Sequence, residues 1–327
     1  MAASCCAECG EEEAGGAVSL KTCKSCMQAK YCNTECQHKH WPKHKKECKQ
    51  RVAEQRDEAL FKDPPPKEEC PICFLPMPKR LIYCLSLPPA TISSVPIYDF
   101  AIANEELATK DMEKYYPCCG KSICRGCVHS FCMSGNDKCP FCNSDCNKTD
   151  EEDVADLMKR VEVNDSGAMC QLGNCYYKGL NGVQQDRTKA MELFTRAAKL
   201  GFSKGHCNLG TTYHEGGNMK KAKFHVEAAA MAGHEMARYN LGIFEYNSGN
   251  VEQALKHWTI AASAGECYAM HELRESFEEG YVSSESINST LAAYNSSWAE
   301  MGSEARDAFI SNLSSLIEMR INQLTQL

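Results

Sequence analysis

The sequence lacks a run of about 20 apolar residues, the length a membrane-spanning helix needs. Its most apolar stretch, residues 81–103, is broken by Pro88, Pro89, Pro96 and Asp99. The first 17 residues carry Glu11, Glu12 and Glu13 and no apolar segment, so no secretory leader is readable. Basic charge is also short: 36 Lys and Arg against 43 Asp and Glu leave a formal −7, a poor match for nucleic acid as main partner. No nucleophile–base pair or paired carboxylates stand out from the surface charge, so no covalent active site is visible. Gly120-Lys121-Ser122 has the ending of a phosphate-binding loop, but Tyr115 stands where that loop's first glycine belongs. After residue 146 cysteine becomes scarce, with Cys170, Cys175, Cys207 and Cys267 alone in the last 181 positions.

What the front half does have is the other 19 of the 23 cysteines. With no leader or anchor, the expected compartment is the cytosol or nucleus, where thiols stay reduced and dense cysteine means metal rather than disulfides. The sequons at Asn147, Asn288, Asn295 and Asn312 then carry no glycan. The spacing supports metal. Cys6-x2-Cys9 and Cys23-x2-Cys26 are knuckles that aim two sulfurs at one tetrahedral ion. Cys32-x3-Cys36 and His44-x3-Cys48 place ligands four apart, on one face of a helical turn. Eight ligands in so short a stretch imply two ions, and a segment this small needs them in place of an apolar core.

The string from Tyr31 to Cys48 resembles the MYND zinc finger, whose second half reads YC, three residues, CQ, then W-x2-H-x3-C; here these are Tyr31-Cys32, Cys36-Gln37, Trp41, His44 and Cys48. The resemblance implies interleaved sites, with Cys6, Cys9, Cys32 and Cys36 on one ion and Cys23, Cys26, His44 and Cys48 on the other. His38 and His40 fall outside the ligand positions and read as solvent-facing or supporting residues. The basic tract Lys39, Lys43, Lys45, Lys46, Lys49 and Arg51 reads as a solvated helix face that offsets thiolate charge.

A second constellation follows a proline-broken linker: Cys70-x2-Cys73, adjacent Cys118 and Cys119, Cys124-x2-Cys127 and Cys139-x2-Cys142. Eight thiolates again suit two tetrahedral sites. This resembles an all-cysteine RING finger. The resemblance implies that Cys70, Cys73, Cys124 and Cys127 hold one ion, and Cys118, Cys119, Cys139 and Cys142 the other. It departs from the family in three places. Lys121 stands where a histidine is common, 44 residues separate Cys73 from Cys118, and Asn143 replaces the basic residue that often follows the last ligand. Cys84, Cys132, Cys146 and His129 are open alternatives for one ligand of the second site. Ubiquitin-ligase RINGs position a conjugating enzyme and perform no covalent step themselves; the docking positions map onto Ile72 and Pro140.

From residue 165 the chain repeats itself. Ala168, Leu172, Gly173, Tyr176 and Gly179 lead into Ala190, Phe194, Ala197, Ala198 and Gly201. A second copy runs Leu209, Gly210, Tyr213, Gly216, Ala222, Phe224, Ala228, Ala229, Gly233, and a third Ala237, Leu241, Gly242, Tyr246, Gly249, Ala254, Trp258, Ala261, Ala262, Gly265. A decayed fourth has Ala269, Leu273, Phe277, Gly280, Trp298, Ala299 and Gly302. Apolar residues at i, i+4 and i+8 mark helices, Gly179 and Gly216 are their expected left-handed stops, and a period of about 32 residues marks an α-solenoid. The alignment resembles Sel1-like repeats, relatives of the tetratricopeptide family. Tyr176, Tyr213 and Tyr246 are expected in the packing, and His206, His214, His225, His234, His257 and His271 show no ligand spacing.

The expected fold is therefore mainly α: two small zinc-stabilised cross-brace modules followed by a solenoid of Sel1-like helical hairpins. The expected boundaries are a MYND-type finger at 1–50, a linker at 51–67, a RING-like finger at 68–146, repeats at 151–302 and a capping helix at 303–327. The expected cofactor is Zn2+, about four per chain. The expected function is a zinc-binding protein-interaction protein whose partners are proteins or peptides, with a RING-type ubiquitin ligase or adaptor role through a ubiquitin-conjugating enzyme. A non-catalytic scaffold is the alternative, and a nucleic-acid binder the third reading.

Overall fold

The computed structural model describes residues 6–9, 19–77 and 112–312. Cys5, Cys84, the apolar stretch 81–103 and the last fifteen residues of the expected capping helix lie outside them. The chain divides into two compact units, Met1–Lys62 and Asp63–Leu327.

The first unit is small. Strands β1 (Lys21–Thr22) and β2 (Lys30–Tyr31) pair antiparallel, and helix α1 (Thr34–Leu60) follows. Asn33 caps α1 by accepting the Cys36 N–H at 2.8 Å, which orders the first turn where Cys36 sits. The core is Cys6, Cys23, Cys26, Tyr31 and Cys48, with Leu20 and Ala29 packed against it. Too few apolar side chains are gathered here to stabilise a fold without metal. Helix α1 continues through residues 51–60, expected from the sequence to be a linker; apart from Val52 and Asp57 those residues are Arg, Ala, Glu, Gln and Leu, all good helix formers.

The second unit begins with the RING-like module and continues into the repeats. Strands β3 (Glu113–Tyr116) and β4 (Lys121–Cys124) form an antiparallel hairpin that leads into the short helix α2 (Arg125–Met133). The helices that follow among the described residues include α3 (Asp150–Glu162), α4 (Ser166–Lys178), α5 (Arg187–Lys199), α6 (Ser203–Glu215), α7 (Met219–Met231), α8 (Glu235–Asn247), α9 (Val251–Ser263), α10 (Cys267–Glu278) and α11 (Ser284–Met301). Residues 304–312 are helical as well. From α3 to α10 each helix packs chiefly on its neighbours in sequence, which is the solenoid topology, while α11 packs more on α9 than on α10. Among the described residues no helix is long and apolar enough to cross a membrane.

The Leu-Gly pairs of the first helices have a packing reason. A Cβ at Gly173 would meet Phe194 at 2.5 Å, at Gly210 Val226 at 2.7 Å, and at Gly242 the Trp258 ring at 2.3 Å. Each glycine thus lets a large side chain from the second helix lie directly on the backbone of the first. This corrects the alignment of the second repeat: Val226, not Phe224, is the counterpart of Phe194 and Trp258. Phe224 is 63% exposed, and the buried alanines are Ala229 and Ala230 rather than Ala228 and Ala229. The stop of α6 also moves by one residue. Gly216 has φ −78°, while Gly217 takes the left-handed φ of 74° and lets Asn218 N–H reach the Tyr213 carbonyl at 2.8 Å. Tyr176 and Tyr213 pack on the core as expected, whereas Tyr246 stays 43% exposed while its ring lies 5.6 Å from that of Trp258.

Candidate metal centres

Three of the knuckles share one backbone design. In Cys23–Cys26, Cys70–Cys73 and Cys139–Cys142, the N–H four residues after the first cysteine donates to that cysteine's carbonyl: Met27 at 2.9 Å, Phe74 at 2.8 Å and Asn143 at 2.9 Å. Each of those fourth residues has a positive φ, 55°, 57° and 60° respectively. A large side chain such as Phe or Met adopts that conformation only when its surroundings impose it. A second bond closes each loop, from Cys23 N–H to Ala29, Cys70 N–H to Leu75 and Cys139 N–H to Ser144, at 2.7–2.9 Å. The resulting turn aims both sulfurs of the pair to one side.

Four groups of side chains converge: Cys6, Cys9, Cys32 and Cys36; Cys23, Cys26, His44 and Cys48; Cys70, Cys73, Cys124 and Cys127; and Cys118, Cys119, Cys139 and Cys142. Within each group the candidate ligand atoms lie within 4.8 Å of one another. Their fit to zinc can be tested by distance. Four sulfurs at about 2.3 Å from a tetrahedral ion stand about 3.8 Å apart. The separations in the structure are 3.6 Å for Cys9–Cys32, 3.5 Å for Cys32–Cys36, 3.9 Å for Cys23–Cys48, 3.9 Å for Cys70–Cys127, 3.8 Å for Cys73–Cys124, 3.7 Å for Cys119–Cys139 and 3.4 Å for Cys118–Cys142. Cys26 Sγ to His44 Nε2 is 3.4 Å, close to the edge of about 3.5 Å expected when one ligand is nitrogen. These separations match the edges of coordination tetrahedra, and the thiols are free rather than disulfide-bonded. The residues fit zinc, and both modules interleave their pairs in the cross-brace manner.

The adjacent pair Cys118–Cys119 is accommodated because it lies in a turn, not a strand. The Gly120 N–H bonds the Tyr116 carbonyl at 2.8 Å at the tip of the β3–β4 hairpin, so strand alternation does not force the two side chains apart. Of the alternatives weighed for this site, Cys132 is exposed, Cys146 is partly buried against the same cluster, and His129 lies 3.4 Å from Asn312 Nδ2; none belongs to a convergent group. Outside the ligand groups, His40 supports His44: its ring stacks on that of His44 at 5.6 Å, and its Nδ1 lies 3.0 Å from the Tyr31 hydroxyl.

Electrostatics explains why the thiols need an ion. Burial opposes ionisation at Cys6, yet the backbone N–H groups of Cys9, Cys32 and Glu8 bring it down to about 6. Cys32 in the same group is pushed far up, by desolvation and by the neighbouring Cys36, Cys9 and Cys6. The second pair of groups repeats this: Ser144, whose hydroxyl is 3.2 Å from Cys142 Sγ, holds Cys142 at about 6, while burial and then Cys142 and Cys139 push Cys118 up. A cluster therefore keeps protons on some of its thiols until a cation neutralises the rest.

Sequence reasoning missed Arg306, from the segment just beyond α11. It is 2% exposed. Its guanidinium donates to Cys124 Sγ and Cys73 Sγ, each at 3.4 Å, and to the carbonyls of Pro76, Leu75 and Met301. Gly126 on α2 leaves room for it, since a Cβ there would fall 2.6–2.8 Å from Arg306 atoms, backbone included. A tetrathiolate zinc site carries two negative charges, and Arg306 is the cation set beside it. No local pattern could have found it, because 182 residues separate it from Cys124. Of the two mapped docking residues, Ile72 is 40% exposed and Pro140 is half-buried.

Two family models match parts of the chain. Residues 6–48 match the MYND finger family, and residues 166–202, 203–234 and 236–266 match the Sel1 repeat. A 34-residue stretch is 53% identical to the histone-lysine N-methyltransferase SMYD3 of Homo sapiens, covering 10% of this chain and 8% of that protein. The chain thus spans under a tenth of the length of that curated relative. Among solved structures, a Sel1 repeat protein from Oxalobacter formigenes is similar at 19% identity and TM-score 0.40, over 54% of this chain and 72% of that one. A protective antigen of uropathogenic Escherichia coli displaying an SLR fold is similar at 21% identity and TM-score 0.39, over 59% and 44%. The chain carries a MYND finger, a RING-like set of cysteine groups that could hold zinc ions, and three Sel1 repeats.

Proposed function

We propose that the chain is an intracellular ubiquitin-ligase-type adaptor. In this reading the sixteen converging Cys and His side chains are the zinc ligands, the RING-like module recruits a ubiquitin-conjugating enzyme, and the MYND finger and repeats bind the protein to be modified. The observation that supports it most is the apolar surface beside the paired zinc groups. Ile72 is 40% and Phe74 72% exposed on the first knuckle, and Phe74 is held in a left-handed conformation that presents its ring to solvent. Large apolar side chains fixed on a zinc-stiffened loop are what a docking surface uses. Catalysis would come from positioning the conjugating enzyme, as in ubiquitin-ligase RINGs.

The test is ubiquitin-chain formation by the purified zinc-loaded protein with a panel of conjugating enzymes. Chains that disappear in Ile72→Ala, with zinc content unchanged, support the ligase reading. No chains with any enzyme would sink it and leave the non-catalytic scaffold, which shares the same binding modules.

A further inference from the structure

Residues 63–69 read Asp-Pro-Pro-Pro-Lys-Glu-Glu and run into the first RING-like cysteine. Three consecutive prolines supply no N–H donors and stay out of helix and ladder alike. In the structure the tract has no regular secondary structure, yet it is seated on the repeats. Pro65 packs on the loop between α7 and α8, where its ring carbon would lie 2.8 Å from a Cβ on Gly233. Lys67 then turns inward. Its Nζ donates to the Ala264 carbonyl at 2.6 Å and the Ser297 hydroxyl at 3.3 Å, with Met301 Sδ at 3.4 Å and Glu235 Oε1 at 3.7 Å. Ala264 is the C-cap of α9, the negative end of that helix dipole, which favours a cation.

Lys67 and Glu235 line a cavity of about 220 Å3. The Glu235 side chain is nine-tenths buried, at 10% exposed, and its Oε2 is buried with no hydrogen-bond partner. The indole Nε1 of Trp298, in the same lining, is also buried and unpartnered. Glu266, Glu68 and Glu113 add acidic character against Lys204 once Lys67 is set aside. The strap thus uses one carboxylate oxygen of a site that offers a second acceptor and a donor. The Lys67 side chain and the Pro65 ring hold the strap on the array, and the strap itself is not part of any repeat helix.

We propose that the seat of Lys67 at the wall of this cavity is a peptide-binding site of the repeat array that reads a lysine preceded by prolines, and that the chain's own Pro-Pro-Lys strap occupies it in cis. A partner protein bearing an extended Pro-Pro-Lys segment exchanges with Lys67 there. The inference rests on the reading of the array as a binding module and is independent of any ubiquitin step. A tethered strap acts at an effective concentration in the millimolar range, so it masks the site from weak competitors.

The experiment uses the full zinc-loaded chain and a fluorescein-labelled peptide of sequence Asp-Pro-Pro-Pro-Lys-Glu-Glu, read by anisotropy. Lys67→Met, which keeps the aliphatic stem and removes the charge, is expected to bind the peptide at least about tenfold more tightly than the wild-type chain. Adding Glu235→Gln to that variant, or replacing the peptide's lysine by alanine, should abolish binding. Lys67→Gln, with its fold checked by circular dichroism, serves if Lys67→Met fails to fold. Equal binding to wild type and variant, no binding to a folded variant, or binding of the alanine peptide would each overturn the proposal. None of these results bears on chain formation with ubiquitin, so the two readings fail separately.

Discussion

Arg306 and Cys124 lie 182 residues apart in sequence, and the guanidinium Nε donates to the thiol sulfur at 3.4 Å. The segment that follows the last repeat hairpin therefore closes over the first zinc group of the RING-like module. Hydrogen bonds to ligand sulfur disperse thiolate charge and hold the sulfur in place, so the arginine belongs functionally to the metal site. The same residue ties that module to the Met301 carbonyl at the end of α11.

Arg306→Ala should weaken zinc binding at that group by about 10–100-fold, the usual effect of losing a residue that supports the ligands. A chromogenic chelator titrated into the full chain should release one of about four zinc ions ahead of the rest. Arg306→Lys should fall between, because an ammonium keeps the charge but cannot reach both sulfurs and the carbonyls. Unchanged release kinetics in Arg306→Ala would remove the arginine from the site.

Zinc loading should expel protons. Cys32, Cys118 and Cys127 are all pushed up in the metal-free clusters, first by burial and then by neighbouring thiolates, so they hold protons at pH 7. Coordination needs them ionised. Affinity must then fall as pH falls, and calorimetry in buffers of different ionisation enthalpy should report net proton release. A buffer-independent enthalpy would contradict it.

His257 should make the array acid-sensitive. It is buried, and desolvation together with the Arg238 charge lowers it from 6.5 to about 4. The unfolded chain binds this proton from about pH 6.5 downward while the folded chain refuses it until about pH 4, so stability is full above 6.5 and declines through that window. At pH 5 the loss from this group alone is about 2 kcal/mol. Urea midpoints at pH 7.5 and pH 5 measure it, and His257→Gln should flatten the difference.

Leu241→Ala, at a fully buried position of α8, should cost about 2–5 kcal/mol. The thermal midpoint of the helical signal should drop while the MYND-type finger, in the other compact unit, keeps its zinc. Loss of metal from Cys23, Cys26, His44 and Cys48 in this variant would contradict that division.

Gly120→Ala should disturb the second RING-like site from outside it. Gly120 has φ 73°, and a Cβ would fall 2.0–2.6 Å from the Arg160 guanidinium and Asp165 carboxylate. Asp165 also caps α4 and accepts the Tyr115 hydroxyl at 2.8 Å, so the displaced hairpin would pull on both. The expected result is a loss of about 1–3 kcal/mol and weaker zinc retention by the group containing Cys118 and Cys119.

The knuckles were legible in the residues because their chemistry is local. Cys70 and Cys73, or Cys139 and Cys142, form their turn from four consecutive positions, and that spacing survives in the bare sequence. The repeat was legible for a related reason: Gly201, Gly233 and Gly265 recur every 32 residues at the same step of each hairpin. Register within a helix was harder. One position is a rotation of about 100°, so a small alignment error placed Phe224 in the core and left Val226 out of it.

The amino-acid order by itself determined which atoms are available for zinc and that the back half is a stack of helical hairpins, since both depend on neighbours a few residues apart. The tertiary structure alone decided that Arg306 serves Cys73 and Cys124, that Tyr115 meets Asp165, and that Lys67 enters the repeats beside Glu235. These pairs lie 50–233 residues apart, and a charge or hydroxyl with no local partner leaves no periodic trace until the chain folds and burial forces it to find one.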